Sequence, residues 1–547
     1  MTATNTRPSA RTTYSSLALV AVVVFGITQI PFLLGSRWAP RGSVYDGLVG
    51  MIDDQNMSYS FIRQASEGDW LFVNRLTHLP HKPALLNLEW LAVGRMTGWL
   101  NGSDATIYTI WRLVGTGLLL VGFWQLAAAI GLGQFERRVA LWMCAFGGGF
   151  GWVFLGLERT GLTPPFPEAT LDLSDAIHPF SHIFANPHLS VSHGLSLLFL
   201  AAYVAGESSG RVRWYVVAGG IAAIHGLVRP YDLIMIYGAV PLFILVERAA
   251  TGGWSRRTTL LRLMPLLVTA PVLAYCVALF RFHPVFKYWA SQGEVRTIGL
   301  HWHLLSFGLA GILFLARLGM ARRYPLKSPG ERFLLVWVLG ALVMVHGKSL
   351  PGFGFIPFAP VFGVTLPSVM LVLGSVLIGR LKEIWTGRPA WGRGSVIAAL
   401  VIGNALGSAV WILKISRNLA CFPDHYITAA EHDAHVWLNQ HANRSDVVLS
   451  ALASGNRMAK YVSCRLVLGH WSVTPHVKEL GERVERFYRG AMTRDEARAL
   501  LDELDVRWIY RGPPERELGI ADLPELEWVA ERYASGNVQV FACEPQH

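Results

Sequence analysis

Charge is what this sequence has least of. Of its 547 residues only 16% are Asp, Glu, Lys or Arg, while 52% are hydrophobic and the mean hydropathy is +0.36. So little charge cannot clothe the surface of an ordinary soluble enzyme. Cysteine is scarce too: five residues are too few for a disulfide scaffold. Cys144 and Cys276 fall in apolar runs, where a free thiol acts as a small hydrophobe. Cys421, Cys464 and Cys543 lie in the polar C-terminal region, where one pair could be bridged. There is no internal repeat, and no low-complexity tract beyond the N-terminal tail. The run Gly147-Gly148-Gly149 has no strand before it, which excludes a phosphate loop. It is expected inside a span, permitting close helix packing.

Apolar runs are what the chain has in abundance, in stretches of roughly 18 to 25 residues, enough to cross a hydrocarbon core as helix. The sequence predicts a polytopic α-helical membrane protein. Its tail, residues 1–16, precedes an apolar run from Leu17 to Leu34 that is long for a signal core and lacks a convincing cleavage site. We read that run as a retained first helix with a cytoplasmic tail. Further spans are expected near 106–131, 139–157, 189–206, 213–228, 231–246, 259–280, 303–316, 333–347, 356–379 and 395–413, about eleven in all. Residues 85–100 are a tempting extra span, but Asn87, Glu89 and Arg95 interrupt them. They fit better as a helix lying in the interface.

Leaving out that segment fixes the side of every later loop, and the distribution of cations tests the choice. Loops then placed in the cytoplasm hold Arg137 and Arg138; Arg211 and Arg213; Arg248, Arg256 and Arg257; Arg322, Arg323 and Lys327; and Arg380, Lys382, Arg388 and Arg393. The outer loops hold only scattered cations. One-sided cationic loops also account for the net charge of +11, so no nucleic-acid partner is needed. The sequence divides into the tail, a membrane domain over 17–414 with a long outer loop at 37–105, and a charged region over 415–547. In that last region strand-like runs (446–449, 465–468, 507–510, 538–542) alternate with helical ones (430–441, 477–489, 493–504), which predicts an extracytoplasmic α/β domain.

With sides assigned, the reactive residues gather outside. Asp53 and Asp54 stand side by side in the first outer segment, with His78 and His81 following. The loop 158–188 holds Glu168, Asp172, Asp175, His178, His182 and His188; later outer turns bring Arg229, Asp232, His283, His301, His346 and Lys348. A carboxylate can deprotonate an incoming hydroxyl, and Arg or Lys can hold a phosphate. Each has a plainer reading. The doublet can be a solvated interfacial turn, and Arg229 can reach to headgroups. Lys348 can be a lone surface cation. His178 and His182, at i and i+4, suit a divalent metal if helical, although Pro179 argues against a helix there.

The segment from Asp53 to Phe72 reads D-D-x-x-x-x-Y-x-x-x-R-Q-x-x-x-G-x-W-L-F, through Tyr59, Arg63, Gln64 and Gly68. With the helix before it and the spans after it, it resembles the GT-C superfamily of polytopic glycosyltransferases. The runs Cys464-Arg465-Leu466-Val467-Leu468-Gly469-His470-Trp471 and Phe487-Tyr488-Arg489-Gly490 are similar to parts of the soluble domain such proteins carry. The resemblance implies inverting transfer of a sugar from a polyprenyl-phosphate carrier to an acceptor on the outer face. The acceptor can be a glycan, a lipid or a protein. It places the catalytic base at Asp54 or Asp53, with Asp54 preferred. Lys348 or Arg229 would hold the carrier phosphate, and Tyr59 and His182 are further candidate substrate contacts. Some members of the superfamily bind a divalent metal such as Mg or Mn, so His178 and His182 are kept as candidate ligands. Two other readings compete: a transporter or flippase, and a non-catalytic assembly protein.

Overall fold

The structure is a computed structural model. It describes residues 10–100, 104–162, 170, 172–173, 177–253, 255–289, 299–323, 325–346, 363–384, 390–421, 425–519 and 528–543. In chain order it begins with α1 (Ala10–Arg37), β1 (Ser43–Tyr45), α2 (Ile52–Ser66), α3 (Leu88–Leu100), α4 (Asp104–Ala129), α5 (Gln134–Ala145), α6 (Gly151–Arg159) and α7 (Pro179–Ala185). A long helical stretch follows. It comprises α8 (Pro187–Ser209), α9 (Val212–Gly226), α10 (Tyr231–Thr251), α11 (Arg256–Phe282), α12 (Leu300–Ser306), α13 (Gly308–Gly319), α14 (Pro329–Val345), α15 (Leu366–Gly374), α16 (Val376–Ile384) and α17 (Ala390–Cys421). The remainder mixes strand and helix. It holds β2 (Tyr426–Thr428), α18 (Ala429–His441), β3 (Val447–Leu449), α19 (Leu452–Met458), β4 (Arg465–Leu466), α20 (Val477–Tyr488), α21 (Arg494–Glu503), β5 (Val506–Arg511), α22 (Pro513–Glu517), β6 (Val529–Ser535) and β7 (Val538–Cys543).

The chain folds as two compact units. One takes residues 1–33, 108–274 and 295–418; the other takes 34–107, 275–294 and 419–547. This grouping differs from the boundary read at residue 414. The segment after α1 belongs with the C-terminal region, because its Leu76 enters that region's core.

The first unit is helical. Among the described residues six helices are long and apolar enough to cross a membrane, or up to seven if the bent pair α12–α13 counts as one span. About eleven were expected from the apolar runs, and the difference has local causes. The run 139–157 is interrupted: Gly147, Gly148 and Gly149 form a turn between α5 and α6 rather than lying within a span. Their small size is still used for packing. A Cβ on Gly148 would come within 2.9 Å of Gly407 Cα, and one on Gly149 within 2.4 Å of the Ser306 carbonyl. The helix α9 has 15 residues and α14 has 17. The expected span at 356–379 begins in residues outside those described.

Several ionisable pairs in this unit lie near helix ends, while Arg112, fully buried well inside α4, donates to the Ile183 carbonyl and to Thr28 Oγ1. Near the C-terminus of α8, Glu207 accepts from Arg262 at 2.7 Å and from Tyr215 at 2.9 Å. Near the C-terminus of α10, Glu247 pairs with Arg332 and lies 3.5 Å from Arg262. At the opposite ends of α8 and α10 sit Ser192, His193 and Asp232. Along the α8 axis, Ser192 and Glu207 are about 22 Å apart at 1.5 Å per residue. Between them α8 is mostly apolar, as a chain that must satisfy its charges away from hydrocarbon requires.

The second unit is built on a five-stranded sheet of order β4-β3-β5-β7-β6, parallel across β4, β3 and β5 and antiparallel across β5, β7 and β6. The expected strands and helices of the C-terminal region fall within a few residues of the observed ones; β2, β6 and the short α19 and α22 are additional. Both sheet faces are covered. One packs Val448, Leu466, Tyr510 and Val540 with Ala434 and Leu438 of α18, and Leu76 of the outer segment enters this same core. The other packs Val447, Leu449 and Ile509 against α20 and α21. The segment after α1 is also stitched on by backbone, since β1 pairs antiparallel with β2. All five cysteines are free thiols.

In the same unit α2 and α3 lie in close contact. A Cβ on Gly94 of α3 would sit 2.4 Å from both Ala65 Cβ and the Ile62 carbonyl. Phe61, Trp90 and Trp289 stack nearly parallel beside this seam, with Phe61 and Trp90 centroids 4.7 Å apart. At 13 residues α3 spans about 20 Å, short of a hydrocarbon core. Gly94→Val is expected to cost ~1–3 kcal/mol through overpacking against backbone. Thermal unfolding followed by tryptophan fluorescence checks it; an unchanged midpoint would mean the seam can open freely.

Candidate functional site

The acidic pair lies in the first turn of α2, directly after Met51, whose backbone is left-handed (φ 49, ψ 44). A non-glycine residue in that region is uncommon, and here it ends the preceding chain abruptly so that the helix can start at Ile52. Carboxylates in a first turn meet the positive end of the helix dipole and its unpaired N–H groups. The doublet therefore stands where a helix start favours acidic side chains.

The rest of the D-D-to-Phe72 motif supports that turn. Arg63 donates to the Lys460 carbonyl at 2.8 Å and 3.2 Å. Gln64 brackets Val73, accepting its N–H at 2.9 Å and donating to its carbonyl at 3.0 Å. Gly68, with φ 109, takes a backbone conformation that L side chains rarely adopt as the chain leaves α2. Tyr59 is buried, with the Lys460 ammonium 5.0 Å from its ring centroid. Its ring packs in the core beneath the pair. Behind it, buried Asp46 receives Lys460 Nζ at 3.1 Å and the Tyr461 hydroxyl at 2.7 Å.

The two carboxylates are not equivalent. Asp54 Oδ1 lies 3.2 Å from His470 Nε2, and its side chain remains 45% exposed while that of His470 is 1% exposed. Asp53 is held through its backbone, its carbonyl accepting from Asn456 at 3.2 Å. It keeps a solvent-facing edge, yet partial desolvation raises its carboxyl above the ordinary range, and the Asp54 charge adds to this. An ionised, half-exposed carboxylate with one oxygen engaged and the other open can accept a proton from a hydroxyl.

The other expected residues are placed differently. Arg229 is buried in the helical unit, its guanidinium 3.2 Å from Asp232. Asp232 also accepts from Ser192 at 2.8 Å and lies 2.8 Å from His225. Arg229 thus balances an internal charge instead of reaching toward headgroups. His182 is fully buried, its Nδ1 3.0 Å from His193 Nδ1. His178 caps the short helix α7, which does form despite Pro179, since proline is tolerated in a first turn. Its ring donates to the Ser306 carbonyl. His178 and His182 therefore face different partners, and among the described residues no three His, Cys, Asp or Glu side chains converge as ligands. As placed, His178 and His182 do not form a metal site with each other. Lys348, Glu168 and Asp175 lie outside the described residues.

Among the remaining outer-loop candidates, Asp172 is buried beside the glycine turn, accepting from Gly151 N–H at 3.4 Å, and burial pushes its carboxyl up to about 7. His81 accepts Asn74 N–H through Nε2 at 2.8 Å and shapes the outer loop. His303 pairs with His346 at 3.2 Å. The residue that spacing could not find is His470. It lies 416 positions from Asp54, and only the resemblance singled out its Gly-His-Trp run.

No protein-family description and no curated protein matches the sequence. Solved structures do. The oligosaccharyltransferase AglB of Archaeoglobus fulgidus, in complex with an inhibitory peptide and a dolichol-phosphate, aligns with a TM-score of 0.53 at 12% identity, covering 96% of this chain and 73% of its own. The Archaeoglobus fulgidus oligosaccharyltransferase in complex with Zn and sulfate gives 0.50 at 12% identity, over 96% and 73%. The mycobacterial arabinofuranosyltransferase AftD gives 0.52 at 13% identity, covering 97% of this chain but only 40% of AftD. At these identities the likeness shows the fold.

Proposed function

Since this multi-pass chain has the fold of the GT-C glycosyltransferases, we propose that it transfers a sugar from a polyprenyl-phosphate carrier to an acceptor hydroxyl, with inversion. The observation that carries the proposal is the exposed Asp54 carboxylate on the first turn of α2, hydrogen-bonded to His470. Asp54 takes the acceptor proton as the hydroxyl oxygen attacks the anomeric carbon. The bond from that carbon to the carrier phosphate breaks, and the phosphate leaves with the electron pair. A phosphate is a good leaving group, so one nearby cation suffices to stabilise it. Arg229 is charge-balanced by Asp232, which leaves Lys348 as the candidate for that role.

The one-sided cationic loops support a cytoplasmic N-terminus and an outward-facing acidic pair, in a bacterial plasma membrane. AglB has been seen with dolichol-phosphate and a peptide, which supports a lipid-phosphate donor. AftD is an arabinofuranosyltransferase, which supports a glycan among possible acceptors. The apolar stretch of α8 between its two polar ends counts against the transporter reading, which needs polar groups along the path.

The test is transfer by membranes supplied with radiolabelled polyprenyl-phosphate sugars. Asp54→Asn is expected to lower transfer roughly a hundredfold or more, the usual cost of removing a general base. Equal transfer by wild type, Asp53→Asn, Asp54→Asn and the double variant would remove the acidic pair from the chemistry.

A further inference from the structure

The Gly469-His470-Trp471 run has no task in the sequence reading, and the fold gives its histidine one. His470 Nδ1 lies 3.2 Å from the backbone N–H of Ser472, with Ser472 Oγ 3.1 Å away. A backbone N–H can only donate, so Nδ1 is the accepting nitrogen and the neutral ring carries its proton on Nε2. Nε2 is the atom 3.2 Å from Asp54 Oδ1. The ring therefore donates to the carboxylate.

The loop behind the ring has little freedom. Thr474 Oγ1 accepts from the backbone N–H groups of Gly469 at 3.2 Å and His470 at 3.0 Å, and donates to the Leu76 carbonyl. Gly469 lies so close to the outer segment that an added Cβ would fall 2.7 Å from Leu76 Cδ2. Asn456 adds a second clamp. Its Nδ2 donates to the carbonyls of Asp53 at 3.2 Å and Gly469 at 3.0 Å, while its Oδ1 accepts from Asn56 at 3.0 Å. One asparagine thus ties the acidic turn to the His470 loop.

We infer that His470 is the positioning residue for the base: its Nε2–H holds Asp54 Oδ1 and leaves Oδ2 to take the acceptor proton. The inference rests on the reading of Asp54 as the base. The proton goes from the acceptor hydroxyl to Oδ2, and the ring keeps its own proton throughout. It also divides the doublet, because the imidazole engages the Asp54 carboxylate while Asn456 grips Asp53 by its backbone. The C-terminal region completes the catalytic geometry rather than only presenting an acceptor.

The experiment compares His470→Ala, His470→Gln and Asp54→Asn in the full-length protein in nanodiscs, with radiolabelled polyprenyl-phosphate sugars. Loss of orientation in His470→Ala is expected to lower kcat roughly 10- to 100-fold with donor KM nearly unchanged. His470→Gln, whose amide N–H can replace Nε2–H, should recover most of it. If His470→Ala keeps its kcat while Asp54→Asn loses it, the positioning role falls and the glycosyltransferase reading stands. If both His470 variants lose activity together with their unfolding midpoint, the role is structural and the inference also falls. If Asp54→Asn transfers normally, the assignment of the base falls first. A second readout needs no turnover: histidine-labelled 15N spectra should show His470 protonated on Nε2, with a signal that moves in Asp54→Asn. A ring protonated on Nδ1 would overturn the proposal.

Discussion

Lys460→Met is expected to lower the stability of the sheet-containing unit by ~3–5 kcal/mol, the cost of leaving a buried carboxylate without its cation. Asp46 and Lys460 are each about 5% exposed at the side chain. Lys460 Nζ donates to both the Asp46 carbonyl at 2.7 Å and its carboxylate at 3.1 Å. Burial alone would raise the Asp46 carboxyl, but Lys460 and the Tyr461 hydroxyl outweigh it and hold the group below its usual range. The sign of the pH dependence follows. A lowered folded value stabilises the protein above the ordinary carboxylate pKa of about 4. That contribution is lost as pH falls through the folded value. Chemical unfolding of the purified protein should show the loss at neutral pH and a flatter acid limb in the variant. Asp46→Leu combined with Lys460→Met should recover much of it, since an apolar pair leaves no buried charge. A single variant as stable as wild type would mean that water reaches the pair.

Asp232→Leu is expected to be as damaging in the helical unit, again by ~3–5 kcal/mol, because it removes the carboxylate that balances the buried Arg229 guanidinium. The readout is the yield of monodisperse protein after detergent extraction. Arg229→Leu with Asp232→Leu should restore that yield, and its donor KM should match wild type. A restored fold with a donor KM raised tenfold or more would return Arg229 to the carrier phosphate.

How far the sequence could be read depended on the range of the interaction concerned. Apolar runs announce membrane helices because hydrocarbon demands continuous apolar length; among the described residues six helices are long and apolar enough to cross, while the runs at 139–157 and 303–316 are broken. The C-terminal strands and helices were legible from alternation, and the capping pairs Thr428 with Glu431 and Thr493 with Glu496 mark two helix starts in plain text. Glycine was harder. Gly147 to Gly149 looked like part of a span, yet packing against Gly407 and Ser306 turned them into a break between helices.

The candidate site divides in the same way. Sequence by itself determined that the chain is a membrane protein and that two adjacent carboxylates follow its first helix. It also determined that a charged α/β region ends the chain, because composition and local periodicity act over a few residues. Only the tertiary structure decided that His470 reaches Asp54, that Asn456 grips Asp53, and that Arg229 and His182 are turned inward. Those outcomes depend on pairings across tens to hundreds of residues. Burial decides them, since a cation inside the fold must find its counter-charge nearby, and one left at the surface is free to find a ligand.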